Sequence, residues 1–316
     1  MKPVLRRAYQ FVARHRACGS GGCPVTSKKL RSAKFAWLPL AILTFGIVVL
    51  GTRLPAWGYM WAIAGALFVG CKWLTFRTAQ HRGASSGRIF GFLFGWPGMN
   101  AEEFFSARTS QLPGFDAWAL AASKVLLGSV LIWGIAPSCF PADAIAAGWV
   151  GMIGLVFVLH FGLFDFLSLI WRTAGVNALP IMQAPILSQS PGEFWGHRWN
   201  RGFHYLSNRF LFRPLRRRTG VGVATMLVFI SSGLVHELVI SVPARGGYGW
   251  PTAYFVLQGA GVLFAHTDFA RVHGVGRGWK GRLLTVLVTA APAFCLFHPP
   301  FILNVIIPFL KTLGAL

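Results

Sequence analysis

Val221-Gly222-Val223-Ala224-Thr225-Met226-Leu227-Val228-Phe229-Ile230-Ser231-Ser232-Gly233-Leu234-Val235-His236-Glu237-Leu238-Val239-Ile240-Ser241-Val242 is apolar except for a few hydroxyls and two adjacent ionisable side chains, His236 and Glu237. A helix of about 20 apolar residues crosses the hydrocarbon core of a bilayer, so the run reads as a membrane span. Alternation of apolar and polar residues is missing, which argues for helix and against a transmembrane barrel. An ionisable side chain in hydrocarbon costs roughly 3 kcal/mol or more, so such residues usually face a cavity or a pathway. His236 and Glu237 are therefore the expected functional centre.

The rest of the chain repeats the pattern. Further candidate spans are Phe35–Thr52, Ala56–Leu74, Ala117–Ala136, Ala144–Trp171, Pro251–Phe269 and Leu283–Phe297. Phe301–Leu316 follows His298-Pro299-Pro300 and is expected to be a short eighth span, because proline breaks the helix ladder across that triplet. Ile89–Trp96 and Val176–Leu187 are too short to cross and should lie at the interface or re-enter. The expected fold is thus all-α, a polytopic membrane bundle of about eight transmembrane helices occupying 35–316, preceded by a basic cytoplasmic arm, 1–34. Only 12% of residues are charged and mean hydropathy is +0.56, against about 25% charged in a soluble domain.

The net charge of +22 would suggest nucleic acid in a soluble protein, but its distribution excludes that reading. Nine Lys/Arg precede the first apolar run, and no acidic residue lies among them. With the N-terminus inside, Lys72–Arg108, Arg172–Arg218 and Arg271–Arg282 are cytoplasmic, which puts 26 of the 30 basic residues on that side. Only Arg53 and Arg245 fall opposite; Lys124 lies within a span and Lys311 on the last one. Charge bias of this kind sets topology, here that of a multi-pass membrane protein with a cytoplasmic N-terminus, expected in a bacterial inner membrane. Basic and glycine-rich residues fill the first 34 positions, which is not a signal-peptide pattern. The five cysteines make no disulfide framework; Cys18 and Cys23 share the arm and are expected to be reduced thiols. Ala147, Gly151 and Gly154 give one span a small-residue face for close helix approach.

Three motif matches fail on context. Gly83-Ala84-Ser85-Ser86-Gly87 has the letters of a nucleophile elbow without a preceding strand. Gly276-Arg277-Gly278-Trp279-Lys280-Gly281 has those of a dinucleotide loop but joins two membrane helices. His236-Glu237 lacks a second histidine one turn later, so no zinc-protease motif and no metal site is expected.

The tract Glu193-Phe194-Trp195-Gly196-His197-Arg198-Trp199-Asn200 combines aromatics, a carboxylate and an amide before a run of arginines. Its aromatics suit the membrane interface and its arginines suit phosphates, whereas Arg216–Arg218 read as topology signals touching anionic lipid. Together with Ser232-Gly233-Leu234-Val235-His236-Glu237, this tract resembles the paired signature of the membrane-bound O-acyltransferases, and most of all their wax synthase branch. Phe92-Leu93-Phe94-Gly95-Trp96-Pro97-Gly98-Met99-Asn100 is similar to a segment of bacterial members. The resemblance is strongest over 190–270.

It implies a helical membrane enzyme that moves an acyl group from acyl-CoA, as co-substrate and with no resident cofactor, to a lipophilic alcohol. It also implies His236 and Asn200 as catalytic residues. Chemistry supports the pair independently: a histidine kept neutral by burial can take the alcohol's proton, and a nearby amide can donate to the oxyanion. Ser232, one turn before His236, is a candidate support; Glu237, rotated by about 100°, should pair elsewhere. Trp195, Arg198, Trp199 and Arg201 are candidates for binding acyl-CoA. His236 lies 15 residues past Val221, about 22 Å deep, within reach of a pantetheine arm from the cytoplasmic face. His160, His266 and His298 read as structural, although His160 with Asp165 can line the same cavity. The alternatives are an acyltransferase for a sterol, glycerolipid or polymer hydroxyl, and a lipid or solute transporter with a His236–Glu237 proton relay.

Overall fold

Every regular element among the described residues is helical, as lipid requires of a chain that must satisfy its own backbone. The computed structural model describes residues 35–81, 83–107 and 110–316; the basic arm, with Cys18 and Cys23, lies outside them. Cys71, Cys139 and Cys295 are free thiols. Six helices have the length and apolarity to cross a membrane: α1 (Phe35–Arg53), α2 (Ala56–Thr78), α4 (Phe115–Cys139), α5 (Ala144–Thr173), α6 (Arg201–Ala244) and α8 (Gly278–Leu296). Three shorter helices matter to the packing, the amphipathic α3 (Ser86–Phe94) and the apolar α7 (Trp250–Phe264) and α9 (Pro299–Thr312). Large apolar side chains such as Phe45, Leu50, Leu126 and Ile170 are exposed, a surface suited to lipid and not to water. The chain is an integral membrane protein.

The basic segments gather at one end of the bundle. Arg209 reaches Glu102 at 2.6 Å and the Thr78 carbonyl at 3.0 Å, and Arg172 donates to Ser110 at 2.9 Å. At the opposite end Arg245 donates to the Thr52 carbonyl at 3.4 Å. Helix α6 is bent where Gly220 takes φ 81° and ψ 174°, a conformation that suits glycine. Its arginine-rich limb, 201–219, stays at the basic end, while the limb from Val221 carries His236 into the bundle. Helices α4 and α5 meet through Gly128 and Gly154, where a Cβ on Gly154 would stand 2.7 Å from the Gly128 carbonyl oxygen.

Two expectations change. Lys72 does not open a solvated loop: α2 continues to Thr78, and Lys72 is 1% exposed, its ammonium 3.5 Å above the Phe92 ring and donating to the Gly98 carbonyl. The final apolar segment does not run from end to end. Helix α9 starts with Pro300 beside Gly246, sets Ile302 and Ile307 on Gly148, puts Phe309 against Trp57 and Trp61, and ends with the Leu313 carbonyl on Trp133. These partners all lie within about 10 Å of the end where Arg245 sits. Phe301, Ile302, Val305 and Leu310 are buried there, so α9 plugs that end of the bundle.

Candidate active site

His236 sits deep in the bundle but keeps part of its surface free. Its Nδ1 lies 2.7 Å from the Ser232 carbonyl oxygen, and its ring is 4.4 Å from Phe255. A carbonyl only accepts, so Nδ1 carries the hydrogen, and in the neutral ring the lone pair is on Nε2. No other residue described takes up Nε2. Ser232 therefore supports the imidazole through its backbone; its hydroxyl donates instead to Val228 O at 3.1 Å.

The ladder widens into a π turn, Glu237–Ser241, immediately after His236. Glu237 points to a different partner. Its Oε1 accepts from the backbone N–H groups of Gly249 and Thr252, each at 3.0 Å, and from the Thr252 hydroxyl at 2.9 Å. A carboxylate on these orphan donors caps α7 and complements its dipole.

In the aromatic tract, Ser190 caps the turn Pro191–Glu193, accepting from Glu193 N at 3.1 Å. The Glu193 carboxylate is held below its ordinary range by the Gln189 backbone N–H, 2.8 Å away, and then by Arg198 at 2.6 Å. Arg198 also donates to the carbonyls of Gln183 and Ala184, at 3.1 and 3.4 Å, so its guanidinium is occupied within the fold. Trp199 stacks on Phe194 at 5.4 Å and meets Phe161 of α5 at 6.0 Å. Asn200 then takes the left-handed conformation, φ 42° and ψ 61°, which asparagine tolerates better than most residues. Its Oδ1 accepts from Phe203 N at 3.1 Å and so caps the first turn of α6. Its Nδ2 donates to none of the residues described.

Trp195 joins the tract to the membrane core. Its ring lies 5.6 Å from Phe255, the residue that packs on His236, and its indole donates to Gln258 Oε1 at 3.2 Å. Gln258, fully buried, donates in turn to the Val288 carbonyl at 2.6 Å. That carbonyl is free because Pro292, four residues on, has no N–H to offer. Tyr254 takes the next one, Thr289 O, at 2.9 Å. Gln258 and Tyr254 escaped the sequence reading; the signal for Gln258 was an amide in an apolar run together with a proline in the neighbouring helix.

A cleft of about 310 Å³ opens at the basic end, lined by Arg201, Arg209, Arg213, His197, His204 and Asn177 among others. It does not reach His236: no lining residue comes from the Val221 limb, and the aromatic tract stands between the two. Arg201 lines the cleft and donates to Pro180 O at 3.3 Å. No hydrogen bond joins Asn200 to His236; aromatic packing connects their neighbourhoods.

A helical membrane protein with an imidazole in its core whose Nε2 has no partner among the described residues, and a basic cleft at one end, is a narrow class. Residues 178–257 match the model of the membrane bound O-acyl transferase family. A long-chain-alcohol O-fatty-acyltransferase of Simmondsia chinensis is 32% identical over 96 residues, 28% of this chain and 27% of that protein. The probable long-chain-alcohol O-fatty-acyltransferase 9 of Arabidopsis thaliana is 31% identical over 141 residues, 40% of this chain and 41% of its own length. Number 6 of the same plant is 24% identical over 197 residues, 58% and 56% of the two chains. The chain thus spans between about a quarter and somewhat over half of the length of these relatives. Over residues 178–257 the chain is thus similar to the membrane bound O-acyl transferase family, and the relatives it matches are long-chain-alcohol O-fatty-acyltransferases.

Proposed function

We propose that the chain is an acyl-CoA:alcohol O-acyltransferase of the wax synthase type, with His236 as general base. The observation that carries this reading is the Nδ1 hydrogen bond to Ser232 O, which leaves the Nε2 lone pair free. The alcohol gives its proton to Nε2 as its oxygen attacks the thioester carbonyl. The tetrahedral intermediate collapses, the C–S bond breaks, and the imidazolium returns the proton to the departing CoA thiolate. Asn200 Nδ2, free of other partners, is the candidate donor to the oxyanion. The basic cleft, through Arg201 rather than the occupied Arg198, suits the phosphates of acyl-CoA, with the acyl thioester passing the Trp195–Trp199 wall. On this reading the cleft faces the cytoplasm, where acyl-CoA is. Glu237 is tied to the start of α7 through Oε1 while its Oε2 is buried and unpartnered among the described residues, and no hydrogen bond joins it to His236, which weighs against a relay between the two.

The test is ester formation from labelled acyl-CoA and a long-chain alcohol by membranes carrying the chain. His236→Ala should abolish it while the protein still inserts and accumulates. Base removal costs at least about 100-fold, so a variant keeping more than about a tenth of the activity would exclude this role for His236. Diacylglycerol and sterol acceptors in the same assay decide the acceptor class.

A further inference from the structure

We propose that the polar cluster where α4 packs on α5, formed by Asp165, Lys124 and His160, is a hydroxyl-binding site inside the membrane that takes the headgroup of a lipophilic alcohol directly from the bilayer. The identification of the ligand as the acceptor rests on the acyltransferase reading; the existence of the site does not.

Lys124 Nζ and Asp165 Oδ2 meet at 2.7 Å, in spans whose mean hydropathies are 1.8 and 2.2. Lys124 is nine residues from the start of α4 and Asp165 eight from the end of α5, so both lie about 12–14 Å from the basic end. Two charges are costly at that depth, and well-packed apolar residues often replace such a pair without loss. Helix packing already has a simpler device there, the Gly128–Gly154 approach and the seating of Gly162 on Val125. The pair is also left open: the two side chains keep 25% and 14% of their surface exposed.

Two polar atoms at the site have no partner. Asp165 Oδ1 and His160 Nδ1 are both buried and unbonded. In a regular α-helix, residues five apart point about 140° away from each other. The π turn Phe157–Leu163 adds a residue to the ladder, which brings His160 and Asp165 close to one face. In the tautomer that carries its hydrogen on Nδ1, one hydroxyl serves both atoms, donating to Asp165 Oδ1 and accepting from His160 Nδ1–H. An alkane satisfies neither, and a fatty acid carboxylate brings a second negative charge to Asp165. Exposed Leu126, Leu127 and Leu163 offer apolar surface along which an alkyl chain can lie. The site also borders the aromatic tract, since Phe161, next to His160, packs on Trp199, the residue before Asn200.

Hexadecanol carrying a diazirine beside its hydroxyl, photolysed in membranes containing the whole chain, tests the site without any turnover. Labelling should concentrate in peptides covering 118–128 and 157–167. It should be displaced by hexadecanol and not by hexadecane or palmitate. It should fall about ten-fold in the charge-free Lys124→Met/Asp165→Asn double variant and in His160→Phe, which keeps the ring packed on Phe164. Labelling spread over all lipid-facing helices, displacement by hexadecane, or labelling unchanged in both variants would overturn the site. If labelling behaves as stated and no ester forms with any alcohol, the site stands and the acyltransferase reading fails. If ester forms at an unchanged KM for alcohol in both variants, the reading stands and the site fails.

Discussion

Asn200 caps α6 with one atom of its amide and is proposed to act on the substrate with the other, and substitution separates the two. Its Oδ1 caps α6 while its Nδ2 is the free donor, so Asn200→Asp keeps the cap and deletes the donor. That variant should fold with near-normal thermal stability and lose about 2.7–4 kcal/mol of transition-state stabilisation, read as kcat. Asn200→Ala loses the cap as well, adding about 1 kcal/mol of destabilisation. Equal activity in the Asp variant and the native chain would remove Asn200 from the chemistry. Arg198→Ala separates differently. Because its guanidinium is bound to Glu193 and to the 183–184 carbonyls, its loss should lower thermal stability and leave the salt dependence of the KM for acyl-CoA unchanged. A salt-sensitive rise in that KM on Arg198→Ala would return it to the phosphates; the same rise is the expected result for Arg201→Ala.

At the scale of the element, helix breaks hold the site together. Pro292 frees the Val288 carbonyl, Gln258 occupies it, and the other end of that amide fixes Trp195 over Phe255 and so beside His236. Gln258→Leu should strand a buried carbonyl at a cost of about 1–3 kcal/mol. Pro292→Ala supplies the missing N–H, so the double variant should recover part of that stability in a thermal melt; strict additivity would dissolve the link. Much of this was hidden from the sequence. The spans were legible because apolar length is a one-dimensional signal, and His236 because an ionisable residue in hydrocarbon needs a reason. Gln258, Lys72 and the Glu237 cap on α7 were not legible, because each is defined by a partner 12 to 30 residues away on another segment. Asn200 and Trp195 were reached through resemblance, whereas their geometry, a left-handed cap and an indole on a buried amide, emerges only from packing.

At the scale of the molecule, the charge distribution and the fold agree on one basic end and disagree with eight crossings. Besides the six helices long enough to cross, the 15-residue α7 also joins the two ends: Glu237 caps it at one end, and His266, just past its other end, packs on Gly192. Seven passages leave α9 at the end opposite the basic loops, where its contacts with Gly246, Gly148 and Trp133 hold it. With the basic loops in the cytoplasm, a reporter fused after Arg218 should therefore read cytoplasmic and one within Pro137–Asp143 external. A reporter joined after Leu316 is the discriminating case. Eight crossings would return it to the cytoplasm, while a plug formed by α9 leaves it outside with Arg245. A cytoplasmic reading after Leu316, with the other two as stated, would mean that α9 crosses and that its packing against Trp57 and Gly148 is wrong. Inversion of all three would instead put the basic cleft on the side without acyl-CoA and end its assignment to the donor.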